Sequence, residues 1–312
     1  MKYVFGPVPS RRLGRSLGVD PIPFKTCNWN CVYCQLGRTQ PMTNERKDYV
    51  PPGQVVAEVR RALREHADGV DWITFGGSGE PTLHASLGRM IREVKALTIL
   101  PVAVLTNGAL LHRRDVRGEL RAADAVLPTL DAGCEAVYRR INRPRGDLTF
   151  ARLIEGLVAF RREYAGQLWV EVMLVRGLND GARSLAEIAA VLDRIGPDAV
   201  HLNTAVRPPA EPWVAPPAAR TVRRALSLLG HGARLAALAG PALDLSRSPR
   251  ATDTVRAILT RHPMDLRELR GVLPQWTAPA GVGTVSRAGR RFCTDARARY
   301  GTTDPAKRIR QT

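Results

Sequence analysis

The sequence predicts an α/β chain: an incomplete parallel barrel of (β/α)6 type over residues 1–235, a linker at 236–250, and a small winged-helix-like α+β module over 251–312. Six apolar strand-like runs alternate with segments of helical apolar spacing, the pattern of a parallel sheet wound with crossover helices. At 312 residues and 44% hydrophobic, the chain can bury one large core and still carry an appendage. After a helix expected at 218–229 the composition turns Ala-, Gly- and Pro-rich as far as Arg250, and helical spacing then resumes.

Taken in order, Phe5-Gly6-Pro7-Val8-Pro9-Ser10-Arg11-Arg12 is punctuated by Gly and Pro and reads as a loop feeding the first strand, which the cysteine-bearing loop follows. Residues 54–66 place Val55, Val56, Val59, Ala62 and Leu63 at helical spacing, the first crossover helix. The second strand, 70–75, runs directly into Gly76-Gly77-Ser78-Gly79-Glu80-Pro81-Thr82-Leu83; glycines at a strand exit let the backbone come close to a ligand. The third strand, 101–108, ends in an Asn107-Gly108 turn, and the fourth, 123–131, ends at Asp131. Either residue can hydrogen-bond a ligand hydroxyl; equally, Asn107 can support its turn and Asp131 can cap the next helix. The fifth strand, 168–175, is apolar except for Glu171, a carboxylate that needs a partner or a role inside a barrel. In the sixth, 199–209, His201 reads as a hydrogen-bonded strand histidine, and Asn203 and Arg207 fall at the end where barrel chemistry is placed. Beyond the linker, helices at 252–261 and 264–273 precede a hairpin at 281–293 with Gly289 in its turn.

The formal net charge is +18, carried by 42 arginines and only five lysines against 29 acidic residues. Residues 247–312 hold fourteen basic and five acidic residues, so a net +9 sits in the last fifth of the chain. That suits a phosphate-bearing partner, although a solvated arginine-rich surface gives the same count. No stretch approaches the roughly twenty apolar residues of a membrane span. The N-terminus also lacks the layout of a signal peptide, so a soluble, cytoplasmic protein with no membrane contact is expected.

Three of the five cysteines fall within eight residues, in Lys25-Thr26-Cys27-Asn28-Trp29-Asn30-Cys31-Val32-Tyr33-Cys34. Thiolates this close can converge on one metal centre, and three of them on a four-iron cluster leave one iron open to a substrate. A closed zinc site needs a fourth ligand, which Cys134 or Cys293 would have to supply. A disulfide needs an oxidising compartment.

The spacing of Cys27, Cys31 and Cys34, with Tyr33 just before the last cysteine, resembles the signature of the radical S-adenosylmethionine (SAM) superfamily. The resemblance implies that these cysteines hold a [4Fe-4S] cluster whose open iron is chelated by the amino and carboxylate groups of SAM, with Tyr33 beside it. The Gly-rich turn one strand–helix–strand step later resembles the element that receives the methionine amino group, which assigns Gly77, Gly79 and Glu80 to SAM. Bulk at either glycine is then expected to weaken SAM binding and leave the cluster in place. Asn107 and Asp131 become candidates for the SAM ribose, Arg143 for its carboxylate (with surface ion pairing as the alternative), and Asn203 and Arg207 for further cofactor contacts. All cluster and SAM contacts are expected within the barrel. The implied reaction starts with an electron from a flavodoxin- or ferredoxin-type donor and cleaves SAM to methionine and a 5′-deoxyadenosyl radical, which takes a substrate hydrogen. The opening Phe5 to Arg12 segment, the inserted Ser78 and the Arg139-Arg140-Ile141-Asn142-Arg143-Pro144 stretch look like the wyosine-synthase-like, tRNA-modifying branch. No cysteine precedes Cys27, whereas wyosine enzymes carry further ones there, so a modified nucleoside is implied rather than the pyruvate-condensing reaction itself. Modification of a protein or peptide gripped by the C-terminal module is the alternative, and an iron–sulfur regulator that binds nucleic acid a more distant one.

Overall fold

The structure is a computed structural model that describes residues 1–66, 69–236, 251–261, 263–265, 269–270, 282–287 and 290–295. Its first two elements are strands, β1 (Val4–Ser10) and β2 (Gly14–Val19), paired antiparallel from Val4↔Val19 to Ser10↔Gly14 with an irregularity between Phe5 and Val8. The opening segment is therefore a strand and not the expected loop. Pro7 and Pro9 are accommodated because β1 is the edge of the sheet, where a missing N–H breaks no second ladder. Gly6 takes φ +103° at the irregularity, a conformation that a Cβ would oppose.

From β2 onward the sheet is parallel, in the order β1 to β8, with β3 (Trp72–Phe75), β4 (Val102–Thr106), β5 (Ala125–Pro128), β6 (Gln167–Leu174), β7 (Ala199–Thr204) and the short β8 (Arg234–Leu235). Between them lie α1 (Pro52–Glu65), a 3-10 turn at Pro81–Leu83, α2 (Leu87–Lys95), α3 (Arg114–Leu120), α4 (Glu135–Ile141), α5 (Phe150–Glu163), α6 (Ala182–Ile195) and α7 (Ala219–Leu228). Six parallel strands, β2 to β7, flanked by β1 and β8, make the half-barrel that the alternation predicts.

The helices cover the outer face of the sheet. In α1, Val55, Val56, Val59 and Ala62 are buried, each valine contributing about 1.5–3 kcal/mol of apolar burial. In β6 the period of two is visible: Leu168, Val170, Val172 and Leu174 are fully buried in the main core, and Trp169, Glu171 and Met173 alternate with them on the other face. Inside the barrel, at the N-terminal ends of the strands, Leu13, Ala103, Ala125 and Leu127 cluster with Trp72 and Trp169, whose rings lie 5.6 Å apart. His201 stacks on Trp169 and its Nε2 accepts from Arg234 Nε and Nη2 at 3.1 and 2.9 Å. Burial and the nearby Arg234 charge push its pKa down to about 4, so it is a neutral, hydrogen-bonded strand histidine. The opposite ends of the strands stay open, and their loops converge there.

Past the barrel, α8 (Ala251–Arg261) packs on β1, and β9 (Met264–Asp265), β10 (Val282–Arg287) and β11 (Arg290–Asp295) form a separate antiparallel sheet in the order β10-β11-β9. Met264 and Asp265, expected to start a second helix, instead pair with Cys293 and Phe292 of β11. The partner strand is distant in sequence, so helical spacing carried no trace of it. Residues 237–250 of the expected linker and Gly289 of the hairpin turn lie outside the described residues.

Candidate cofactor and active site

The cysteine loop leaves β2 and is braced by the segment after α4: Val32 N donates to Ile141 O at 2.9 Å, Asn30 N to Asn142 O at 3.1 Å, and Arg145 N to Asn28 O at 2.9 Å. Cys27, Cys31 and Cys34 are all half-buried free thiols that line a cavity of about 240 Å³ at the open end of the barrel, and Cys27 and Cys31 also line an adjoining one of about 340 Å³. N–H donors surround the sulfurs. Lys25 Nζ reaches Cys34 Sγ at 3.2 Å, Trp29 N and Asn107 Nδ2 reach Cys27 Sγ at 3.4 and 3.7 Å, and Asn142 Nδ2 reaches Cys31 Sγ at 3.8 Å. Burial, followed by the Glu80 charge, pushes the Cys27 thiol up to about 12. Burial and then the neighbouring Cys27 and Cys34 push Cys31 up as well.

Crowded, buried thiols with N–H donors pointed at them form a site suited to thiolates held by a cationic cluster. Among the described residues no three His, Cys, Asp or Glu side chains close round a single ion. The thiolates of a four-iron cluster stand further apart than those of one zinc. Cys134 precedes α4 and does not line either cavity, so it supplies no fourth ligand. The side chain of Cys293 lies outside the described residues.

The Gly-rich turn closes the site from β3. Gly77, Ser78 and Gly79 line both cavities or one of them, and Ser78 O accepts from Lys25 N at 2.7 Å. Glycine is needed at two places for different reasons. Gly77 has φ +148° and a Cβ there would stand 2.9 Å from the Asp20 carboxyl carbon, whereas a Cβ on Gly79 would drive into the carbonyl of Thr26. Glu80 is buried and its carboxylate is an organiser: Oε1 accepts from Thr82 N, Thr82 Oγ1 and Thr106 Oγ1 at 3.0, 2.6 and 2.6 Å, and Oε2 from Asn107 N at 2.7 Å. Its pKa is raised, because burial outweighs these donors. Oε2 accepts a single hydrogen bond, fewer than a carboxylate oxygen can take, and Glu80 lines the larger cavity.

The other expected site residues divide into two groups. Asn107 and Asn203 line the larger cavity, and Tyr33 and Arg207 line both. Asn107 supports its turn, accepting from Ala109 N at 2.9 Å, and also donates to Asn28 Oδ1 at 2.6 Å, so it is tied to the cysteine loop. Asn203 accepts from Arg12 Nη1 at 3.3 Å, and Arg207 Nη1 donates to Gln35 at 2.9 Å. Asp131 and Arg143 do not line either cavity. Asp131 sits behind Tyr33 and accepts from Tyr33 Oη, Asn142 Nδ2 and Met173 N at 2.6, 2.7 and 2.7 Å; burial pushes it up to about 6 despite them. It does not cap α4, whose N-cap is Cys134. Arg143 takes a left-handed φ of +46° and pairs with Glu211, which Arg38 also meets at 2.8 Å.

The sequence flags Glu171 as needing a partner without naming one, and it gives no role to Asn142 or Asp20. Glu171 faces the cavity and pairs with Arg12 Nε at 2.6 Å. Asn142 joins Asp131 to the cysteine loop, and Asp20 accepts from Ser78 N at 3.0 Å and Ser78 Oγ at 2.5 Å. The lone carboxylate in an apolar strand was the signal for the first, and the structure supplies its partner, Arg12. The other two depend on folds of the chain that bring distant residues together.

An open parallel barrel with a cysteine triad and a glycine-rich turn at its strand ends defines a class, the iron–sulfur enzymes that handle an adenosyl cofactor at the top of a barrel. The profile of the Radical SAM superfamily matches residues 22–202, and the chain belongs to that superfamily, whose members bind a [4Fe-4S] cluster and SAM. A UPF0026 protein of Methanocaldococcus jannaschii is 35% identical over 269 residues, 85% of this chain and 84% of that one. A protein of Brachyspira hyodysenteriae named GTPase Obg is 43% identical over 206 residues; they are 66% of this chain but 30% of that one, so this chain spans less than a third of its length. A GTP 3′,8-cyclase of Edwardsiella ictaluri is 30% identical over 159 residues, half of this chain and 46% of that one. Among solved structures, one of TYW1 with a lysine-pyruvate adduct bound has a TM-score of 0.54 at 15% identity, covering 90% of this chain and 80% of that one, which is a likeness of fold.

Proposed function

We propose that this protein is a radical SAM enzyme that takes a hydrogen from a nucleoside-type substrate, in tRNA or a related nucleic acid, seated between the SAM site and the Arg12–Glu171 pair. Cys27, Cys31 and Cys34 would hold the cluster, which together with SAM would supply one-electron, hydrogen-abstracting chemistry once reduced by a flavodoxin- or ferredoxin-type donor. The Gly77-Ser78-Gly79 backbone and the free acceptor position of Glu80 hold the amino end of SAM, with Asn107 and Tyr33 beside it. Asp131 acts through Tyr33, and Arg143 acts through Glu211 to keep the cysteine loop in place. The apolar layer of Leu13, Leu105 and Leu127 below keeps water from the reacting atoms.

The observation that carries the substrate reading is the polar group on the cavity wall. Arg12, Glu171 and Asn203 bring a guanidinium, a carboxylate and an amide together, each 15% exposed or less: Arg12 Nε ion-pairs with Glu171 and Arg12 Nη1 donates to Asn203, while Arg12 Nε and Glu171 Oε1 have no hydrogen-bond partner among the described residues. Planar donors and acceptors in fixed order match the edge of a nucleobase. The named substrate of the GTP 3′,8-cyclase relative, a guanine nucleotide, agrees with this. The test compares tRNA and protein digests by mass spectrometry from cells with the gene, without it, and with Glu171→Gln. A nucleoside mass that disappears in the last two supports the reading, and an altered peptide with unchanged nucleosides overturns it. Reductive SAM cleavage by purified Glu171→Gln enzyme should remain, because Glu171 touches none of the groups assigned to SAM.

A further inference from the structure

Asp20, at the end of β2, is 4% exposed. Its Oδ1 accepts from Ser78 N at 3.0 Å and its Oδ2 from Ser78 Oγ at 2.5 Å, and the bare Cα of Gly77 leaves it room. One buried carboxylate thus fixes the backbone of the Gly77-Ser78-Gly79 turn. A carboxylate taken out of water needs a cation, since two donors from a serine leave most of its charge uncompensated. The cation comes from outside the barrel. Arg261, the last residue of α8, places Nε 2.7 Å from Asp20 Oδ2, and its guanidinium lies over the Phe5 ring at 4.6 Å. Its side chain is 15% exposed, so little solvent screens the pair. The carbonyl of Arg261 accepts from Gln35 Nε2 at 2.5 Å, and Gln35 Oε1 accepts from Arg207. The end of α8 is therefore bound to the strand β2 exit, to the residue after Cys34 and, through Gln35, to the exit of β7.

We propose that Arg261 is a positioning residue of the SAM site: through Asp20 it holds the Gly77-Ser78-Gly79 turn, so the seating of the C-terminal helix on the barrel sets the affinity for SAM. The inference rests on the reading that this turn receives SAM. It alters the expectation that all determinants of SAM binding lie within residues 1–235. Coupling of this kind is reciprocal, so whatever seats α8 more firmly tightens SAM, and SAM in turn favours the seated helix.

The test uses the full-length, cluster-reconstituted chain and measures the SAM dissociation constant by equilibrium dialysis, with iron content and thermal midpoint recorded for every variant. Arg261→Gln should weaken SAM binding by about tenfold, with iron per chain and maximal cleavage rate unchanged and KM for SAM raised. Arg261→Lys, which keeps the cation, should recover most of the affinity. Asp20→Asn should weaken SAM by a similar factor, and Arg261→Gln should add nothing further in that background, because the arginine acts only through the aspartate. Unchanged SAM affinity in Arg261→Gln, or full additivity with Asp20→Asn, overturns the proposal. Gly77→Val separates the two levels. If it weakens SAM while Arg261→Gln does not, the relay alone fails; if neither does, the SAM site itself has been misplaced and the relay falls with it.

Discussion

Replacing Gly79 by alanine should damage the cluster site before it affects anything else. An added Cβ would meet Ile22 Cγ2 at 2.6 Å and the Thr26 carbonyl carbon at 2.9 Å, with the Thr26 oxygen closer still. Thr26 immediately precedes Cys27, and its carbonyl accepts the Glu80 N–H at 3.0 Å. Backbone cannot rotate out of the way as a side-chain end can, so the loop has to recede by about half an ångström or more, at an overpacking cost of about 1–3 kcal/mol. Loss of the Glu80 N–H bond adds about 1 kcal/mol. The sum of about 2–4 kcal/mol corresponds to a fall in Tm of roughly 5–12 °C for a barrel of this size. Iron and sulfide analysis after anaerobic reconstitution, with calorimetry, should show Gly79→Ala with well under half of the wild-type cluster. Gly118→Ala is the control, since nothing lies within 4 Å of its Cβ in helix α3, and it should stabilise by up to about 1 kcal/mol. Full iron content and an unchanged Tm in Gly79→Ala, with only SAM binding weakened, would refute the packing argument and restore the simpler view that this glycine serves the ligand.

Changing Cys27, Cys31 or Cys34 to Ser should each abolish the roughly four irons of the reconstituted protein, and Cys134→Ser should retain them; loss of iron in the last variant would revive a four-thiolate site. His201 should give the protein an acid-sensitive step. Its folded pKa of about 4 lies below the usual 6.5, so its contribution is fully present above pH 6.5 and is lost as pH falls toward 4. The change amounts to at most about 3 kcal/mol. Urea midpoints of His201→Phe should therefore decline less between pH 6.5 and 4 than those of the wild type, and parallel declines would show that another group governs that range.

Much of the architecture was legible in the chain because it is local. Apolar periodicities at 55–62 and 168–174 mark a helix and a strand without reference to anything else, and the cysteine spacing and the Gly-rich turn single out two loops that the structure brings to the same cavities. The β1 hairpin was not legible, since Gly6, Pro7 and Pro9 are loop formers by composition and become a strand only because an edge position asks for no second ladder. The roles of single polar side chains were also hidden. Asp131 and Arg143 look alike in sequence as polar residues at element ends, yet three donors converge on Asp131 behind Tyr33 and Arg143 turns to Glu211. Asp20 carried no signal, because its meaning depends on Ser78 on one side and on Arg261, 241 residues away, on the other. Spacing along the chain reports which residues can share a helix face or a loop. Which buried charge is compensated, and by what, depends on the approach of distant segments, and that is set by packing alone.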